Sequence, residues 1–235
     1  MQLFYNENLT QSDSEIRFSK EESRHIVKVL RKSIGDILQI TNGKGWLFTA
    51  EITIADIKNC LAIIKTVKLQ PKKNYQLHLA VAPTKMNDRY EWFLEKATEI
   101  GIDVITPVFC DNSERKVVKA DRYEKILQSA MKQSLNCYKP KLNEAMSFND
   151  FVTQNFNEQL FIAHCEDTHK IALKQELKSN ENVTILIGPE GDFSAREIKL
   201  ALASNFTPVT LGETRLRTET AAIVACHSVA FINEL

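Results

Sequence analysis

The sequence has no run of about 18 apolar residues and no apolar stretch following Met1. Neither a membrane-spanning helix nor a secretory leader is therefore expected. It has no CxxC pair. Its five cysteines (Cys60, Cys110, Cys137, Cys165 and Cys226) are scattered, which argues against a disulfide framework and a zinc site and fits a reducing cytoplasm. Charge of one sign is missing as well: 30 basic residues balance 30 acidic ones, so a polyanionic partner would have to be met by local basic patches. There is no GxxxxGK[ST] and no GxGxxG. Gly43-Lys44-Gly45 sits where a hairpin is expected, so P-loop and dinucleotide sites are unsupported. No GxSxG elbow appears, which argues against an α/β-hydrolase. No internal repeat or low-complexity tract interrupts the 235 residues, of which 43% are apolar, enough for an ordinary core.

Residues 1–70 read as a small β-rich domain. Ser19 and Glu22 have capping-box spacing at the start of an expected helix, EESRHIVKVLRKS, with Ile26, Val27, Val29 and Leu30 facing inward. Alternating strands follow, and Asn42-Gly43 between two of them is a hairpin signal. From Glu15 to Lys32 six basic residues stand against three acidic ones, a local net of +3. A solvated helix face accounts for such a cluster most simply; contact with nucleic-acid phosphates is the functional alternative.

Gln70-Pro71-Lys72-Lys73-Asn74 is polar and precedes a change of pattern, and the domain boundary is placed there. Over 71–235 strands alternate with helices, the pattern of βαβ units and a mostly parallel sheet. Helices are expected in DRYEWFLEKATEIG, stopped by Gly101, from Asp121 to about Asn136, in SFNDFVTQNF and in THKIALKQELKS. Asp111 to Lys141 carries eight basic and four acidic residues, net +4. His164-Cys165-Glu166-Asp167-Thr168-His169 has no metal-ligand spacing and reads as an ordinary loop. His78, within an apolar strand, reads as a packed core histidine.

The stretch from Val183 to Ala222 organises the rest. Two apolar runs, Val183–Ile187 and Pro208–Leu211, each end in a glycine-containing turn followed by a helix start. Ser194 and Glu197 repeat the capping-box spacing. Both turns belong at the carboxyl ends of their strands, where open α/β sheets bind ligands. In IGPEG, Gly188 and Gly191 flank Pro189 and Glu190. In LGETRLRTET, Arg215 and Arg217 precede a helix for which Thr218 is the expected N-cap. Two arginines beside exposed backbone donors suit an anion or a developing oxyanion; a tight structural turn and surface ion pairs with Glu213 or Glu219 are the plainer alternatives.

These turns, IGPEGDFSxxE and LGxxRLRTETAA, resemble the RsmE-type 16S rRNA uridine-N3 methyltransferases of the SPOUT class. RHIVKVLR (Arg24–Arg31), KMNDRYEWFLEKATEIGIDVITPV (Lys85–Val108), SERKVV and AMKQSLNCYKPKL match further family blocks in the same order. The resemblance implies a PUA-like β-barrel over 1–70 and a trefoil-knotted SPOUT methyltransferase domain over 71–235, working as a homodimer. It implies S-adenosyl-L-methionine as donor, held by Leu186, Ile187, Gly188, Pro189, Gly191, Leu211, Gly212, Leu216 and Thr218, with no metal. Glu190 and Arg217 are the catalytic candidates: Glu190 to take the uracil N3 proton or to position the base, Arg217 to stabilise negative charge on a uracil oxygen. The implied partner is 16S rRNA of the small ribosomal subunit, contacted through Arg24, His25, Lys28, Arg31 and Arg115. The sequence departs from the family pattern at Asp192, where many members have glycine, at Thr214-Arg215, and at Leu135-Asn136 in place of Gly-Arg. Methylation of a ribose 2′-hydroxyl, and an RNA-binding assembly factor without activity, remain as other readings.

Overall fold

The structure is a computed structural model that describes residues 2–166 and 170–234. Of the His164–His169 cluster, Asp167, Thr168 and His169 lie outside the described residues. By its contacts the chain divides into two units, Met1–Lys72 with Met131–Lys139, and Lys73–Ala130 with Pro140–Leu235.

In the first unit β1 (Leu3–Tyr5), β2 (Glu15–Arg17), α1 (Lys20–Arg24), β3 (Ile37–Thr41), β4 (Trp46–Ile54) and β5 (Leu61–Leu69) follow in order. The sheet order is β1-β3-β4-β5-β2, antiparallel except for the β1–β3 pair. Phe4, Ile16, Ile26, Ile40, Phe48 and Ile52 form its core. Ser19 caps α1 by accepting the Glu22 N–H at 3.2 Å, but the single long helix expected here is not what forms. After Arg24 the backbone widens into a π-helical turn, His25–Val29, closed by Leu30 N–H donating to the His25 carbonyl at 2.9 Å. The β-branched Ile26, Val27 and Val29 crowd an α-helix. The wider turn carries an extra residue and shifts the phase of the side chains beyond it. Ile26 stays buried, whereas Val29, expected to face inward, is 63% exposed.

The hairpin of β3 and β4 forms as expected, and the residues 137–139 add a bridge against its loop. Gly45 N–H donates to the Cys137 carbonyl at 2.8 Å and Lys139 N–H to that of Gly43 at 2.9 Å. A Cβ on Gly45 would stand 2.4 Å from the Tyr138 ring, so glycine is needed there for close approach as well as for its φ of +94°.

The second unit holds β6 (Leu77–Val81), α2 (Asn87–Ile100), β7 (Val104–Phe109), α3 (Ala120–Gln133), β8 (Lys141–Leu142), β9 (Met146–Ser147), α4 (Phe148–Val152), β10 (Gln159–Ala163), β11 (Ile171–Ala172), α5 (Leu173–Glu176), β12 (Val183–Ile187), α6 (Ala195–Ala203), β13 (Thr207–Thr210) and α7 (Thr218–Glu234). The α3 helix runs past Ala130, where the first unit's second segment begins. The sheet order is β11-β13-β10-β12-β6-β7-β8, with β9 also pairing β7, and every pair is parallel. Alternate residues of β6 and β12 feed opposite faces: Leu79, Val81, Ile185 and Ile187 join one core cluster, Ala80 and Leu186 the other. Burial on both faces is why these strands read as nearly continuous apolar runs. The α/β class with a mostly parallel sheet is therefore as expected.

Two helices are shorter than the sequence suggests. SFNDFVTQNF is helical only over Phe148–Val152, where Ser147 caps the start by accepting the Asp150 N–H at 3.1 Å; its Asn, Thr and Phe residues extend a helix poorly. Within THKIALKQELKS, Ile171 and Ala172 pair instead with Val209 and Thr210 of β13, leaving four helical residues, Leu173–Glu176; sheet pairing overrides local propensity.

His78 is a core histidine. Its Nε2 shares a hydrogen bond with Thr106 Oγ1 at 2.7 Å and its Nδ1 one with Thr184 Oγ1 at 3.2 Å, and its ring lies edge-on to Phe151. Burial, with a smaller contribution from Lys141, pushes its pKa down from 6.5 to about 4. The folded chain thus declines a proton that the unfolded chain accepts below pH 6.5. This contribution to stability is complete above that pH and is lost as pH falls toward 4, on the order of 3 kcal/mol in all. A nitrogen-15 titration should place the His78 midpoint near 4, and chemical denaturation between about pH 7 and 4 should show the matching loss; a midpoint near 6.5 contradicts it.

Candidate active site

The carboxyl ends of β13, β10 and β12 are neighbours along one edge of the second unit's sheet. The loops beyond them line several cavities, two of which adjoin at the glycine turns. The larger of these two, about 420 Å³, is bounded by the ends of β10 and β13 and includes His164, Leu211, Gly212 and Glu213. The smaller, about 270 Å³, includes Gly188, Pro189, Glu190, Arg217 and Thr218. Ala163, Cys165, Arg215, Leu216 and Ala221 belong to both.

Hydrogen bonds tie the loops together. The Thr218 hydroxyl donates to the Gly188 carbonyl at 3.0 Å, joining the two glycine turns directly. Thr218 is the first residue of α7 rather than its N-cap: the Arg217 carbonyl accepts the Ala221 N–H at 2.8 Å, so Arg217 takes the capping position. Arg215 donates to the Glu190 carbonyl at 3.3 Å. Glu190 Oε1 accepts the Lys85 backbone N–H at 3.0 Å. The Arg217 side chain is exposed and has no hydrogen-bond or ion-pair partner among the described residues.

Asp192 is the hub of the β12 turn. It sits at φ +63°, in the left-handed region where glycine is at ease and aspartate is tolerated. Its Oδ1 accepts the Phe193 N–H at 2.9 Å and its Oδ2 the Cys165 N–H at 2.7 Å, fastening the loop after β10 to the loop after β12. Asn112 donates to the carbonyls of Gly191 and Asp192, each at 3.1 Å. The capping box of α6 is complete. Glu197, fully buried, accepts the Ser194 N–H at 2.9 Å and the Asp111 N–H at 2.8 Å.

The structure thus gathers Ile187, Gly188, Pro189, Glu190, Leu211, Gly212, Leu216, Arg217 and Thr218 around the two cavities. Leu186 and Gly191 line neither. The Leu186 side chain is buried in the core beside Phe193, and the space over Gly191 is taken by Asn112, whose Cβ would stand 3.1 Å from an added one. Gly212, at φ +147°, faces open space. Among the RNA-contact candidates Arg24, Lys28 and Arg31 are exposed. His25 bonds Gln2 through Nε2 at 2.9 Å and packs edge-on to Phe4, and Arg115 is half-buried and donates to Asn87 at 3.0 Å. Sequence reasoning missed His164, Cys165 and Asn112: the loop containing the first two had no recognisable spacing.

The model of an RNA methyltransferase domain matches residues 71–230, and that of an RNA methyltransferase PUA domain matches residues 18–65. A ribosomal RNA small subunit methyltransferase E from Rickettsia conorii is 30% identical over 98% of this chain and 95% of its own. The chain belongs to the ribosomal RNA small subunit methyltransferase E family. Among solved structures, a probable rRNA-methyltransferase from Porphyromonas gingivalis superposes with a TM-score of 0.93 at 38% identity, covering 100% of this chain and 99% of that one. A ribosomal RNA small subunit methyltransferase E from Neisseria gonorrhoeae, bound to S-adenosyl methionine, gives 0.83 at 25% identity, covering 99% and 98%. The first unit's curled sheet is accordingly PUA-like.

Replacing Asp192 tests its hub role. Asp192→Ala loses both hydrogen bonds and leaves a Cβ at positive φ, which costs about 1–2 kcal/mol for that conformation alone. Asp192→Gly loses the bonds only. The alanine variant should be the less stable by about 1 kcal/mol in urea denaturation; equal stability would show that the turn relaxes.

Proposed function

We propose that this chain methylates N3 of a specific uridine in 16S rRNA of the small ribosomal subunit, with S-adenosylmethionine as methyl donor. The observation that carries the reading is the convergence of the two glycine turns, bonded through Thr218 and Gly188, on adjoining cavities whose joint volume lies within the roughly 300–1,000 Å³ of ordinary ligand sites. The residues present fit the donor: apolar Ala163, Val209 and Leu211 offer a flat adenine its walls, and Glu190, Asp192 and Glu213 on the cavity rims suit a sulfonium cation. Bound there, the donor supplies an electrophilic methyl group.

The chain's own residues supply the rest. Glu190 is fixed through Oε1 by the Lys85 N–H, and its Oε2, unpartnered among the described residues, is available for the N3 proton of uracil. As that proton leaves, negative charge spreads onto the uracil oxygens. Arg217, its side chain unpartnered at the start of α7, stands beside Glu190 on the same cavity to meet it. Orientation of the base toward the methyl carbon is the remaining task of the walls.

The domain roles belong to the same proposal: residues 1–70 hold RNA through phosphate contacts from Arg24, Lys28 and Arg31, and 71–235 carry out the transfer. So do the trefoil knot, a cytoplasmic location and a homodimer. Trp92 on α2 and Phe231 on α7, 44% and 54% exposed, offer apolar surface on two packed helices. No helix among the described residues is long and apolar enough to cross a membrane.

Arg217→Ala should lower methyl transfer at least ~100-fold, the scale of one lost oxyanion donor, while calorimetry shows unchanged S-adenosylmethionine affinity. Turnover within a few-fold of the parent removes arginine from the mechanism. Because Met131–Lys139 packs with residues 1–72, substitution tests RNA holding more cleanly than deletion. The triple variant Arg24→Ala, Lys28→Ala, Arg31→Ala should reduce the log–log salt slope of rRNA binding by about 2–3 and leave donor affinity intact. An unaltered slope refutes the RNA-face assignment.

A further inference from the structure

The two cavities lie at the ends of β13, β10 and β12. The same sheet edge continues through β6 and β7, which follow β12 in parallel register. Two loops leave that stretch, residues 82–86 after β6 and 110–119 after β7, all within the second unit. An ion pair of 2.8 Å between Lys85 and Glu114 ties one to the other. Both are also fastened to the IGPEG turn: the Lys85 N–H holds Glu190, and Asn112 holds the Gly191 and Asp192 carbonyls. The rest of the β7 loop is partly internal. Asp111 is bound by Ser194 at 2.6 Å and by Arg196 at 2.9 Å, so both loop carboxylates already have a cation. Arg115 turns in to Asn87, and Val118 packs on the core. Lys116, Val117 and Lys119 are left on the outside. Both lysines are exposed and have no hydrogen-bond or ion-pair partner among the described residues. Val117 is 67% exposed, and Met86 on the neighbouring loop 51%.

We propose that these two loops hold the RNA strand flanking the target uridine, with Lys116 and Lys119 on its phosphates and Val117 and Met86 against unstacked bases, an inference that rests on the methyl-transfer reading above. A base reaches a protein pocket only when lifted out of its stack. The strand on either side must then be held close to Glu190 and Arg217. Unpartnered lysines meet phosphates as point charges, and apolar side chains set among them give a splayed base a surface to lie on. None of these four residues lines either cavity. Donor and RNA therefore take separate stretches of one edge and can be bound together, as a direct transfer requires. Two apolar side chains among cations fall short of the contiguous apolar core of a protein interface, which favours RNA as the occupant. The assignment moves the second unit's RNA contact from Arg115, which is engaged by Asn87, to the lysines that follow it.

The double variant Lys116→Ala, Lys119→Ala tests the inference on the full chain. With small ribosomal subunits that lack the modification, its KM for the subunit should rise about 10-fold, the scale of one lost charge-assisted contact, while calorimetry shows unchanged S-adenosylmethionine affinity. Its binding to protein-free 16S rRNA should lose about 1–2 from the log–log salt slope. A photoreactive benzophenone side chain in place of Val117 should crosslink to nucleotides next to the methylated one. An unaltered KM, or crosslinks confined to rRNA remote from that nucleotide, overturns the track and leaves the methyl-transfer reading standing. A raised KM with an unaltered slope on free rRNA, or crosslinks to a ribosomal protein, puts a protein on these loops and equally overturns it. Absence of methyl transfer to 16S rRNA by the unsubstituted chain overturns that reading and this inference with it.

Discussion

A parallel sheet places every strand's carboxyl end on one edge, and the candidate site depends on that constraint. β10 pairs with β12 on one side and β13 on the other, in parallel register on both. The loops after Ala163, Ile187 and Thr210 must therefore leave side by side. Their proximity follows from backbone hydrogen bonding across strands buried on both faces, and the side chains that do chemistry have only to select a position along an edge already built. The Thr218–Gly188 and Asp192–Cys165 bonds then set the loops relative to one another to within a hydrogen bond's tolerance. The network is local, and each of its members lies within the second unit.

What the sequence makes legible is what local chemistry determines. The capping box at Ser194 and Glu197, the glycine stop of α2 at Gly101 and the apolar strands β6, β7, β10 and β12 all form where pattern and spacing put them. What it conceals is set by partners distant in the chain. β11 is a strand because β13 stands beside Ile171 and Ala172. Neither the order of strands nor the buried ring of His164, unpartnered among the described residues, has a signature in residue spacing, since both are facts about what surrounds a residue.

Two of the departures from the family pattern share one explanation. Asp192 and Leu135 stand where the resemblance leads one to expect glycine, and both adopt positive φ, +63° and +58°. That conformation costs about 1–2 kcal/mol for an ordinary side chain. At Asp192 the carboxylate offsets that cost with two main-chain hydrogen bonds that glycine cannot make. Leu135 stands two residues beyond α3, with Asn136 N–H donating back to the Met131 carbonyl at 3.1 Å, a helix-terminating arrangement in which the left-handed residue is obligatory.

The composition of the first unit bears on how the chain folds during synthesis. Its sheet is encoded by the first 72 residues, yet the bridge that satisfies the β3–β4 loop comes from residues 137–139. Vectorial translation delivers that bridge only after more than half of the 235 residues have left the ribosome. Until then the Gly43 carbonyl, beside the Tyr5 ring, and the Gly45 N–H stay open, and the nascent amino-terminal module waits, unfinished, for a late-made piece of its own wall.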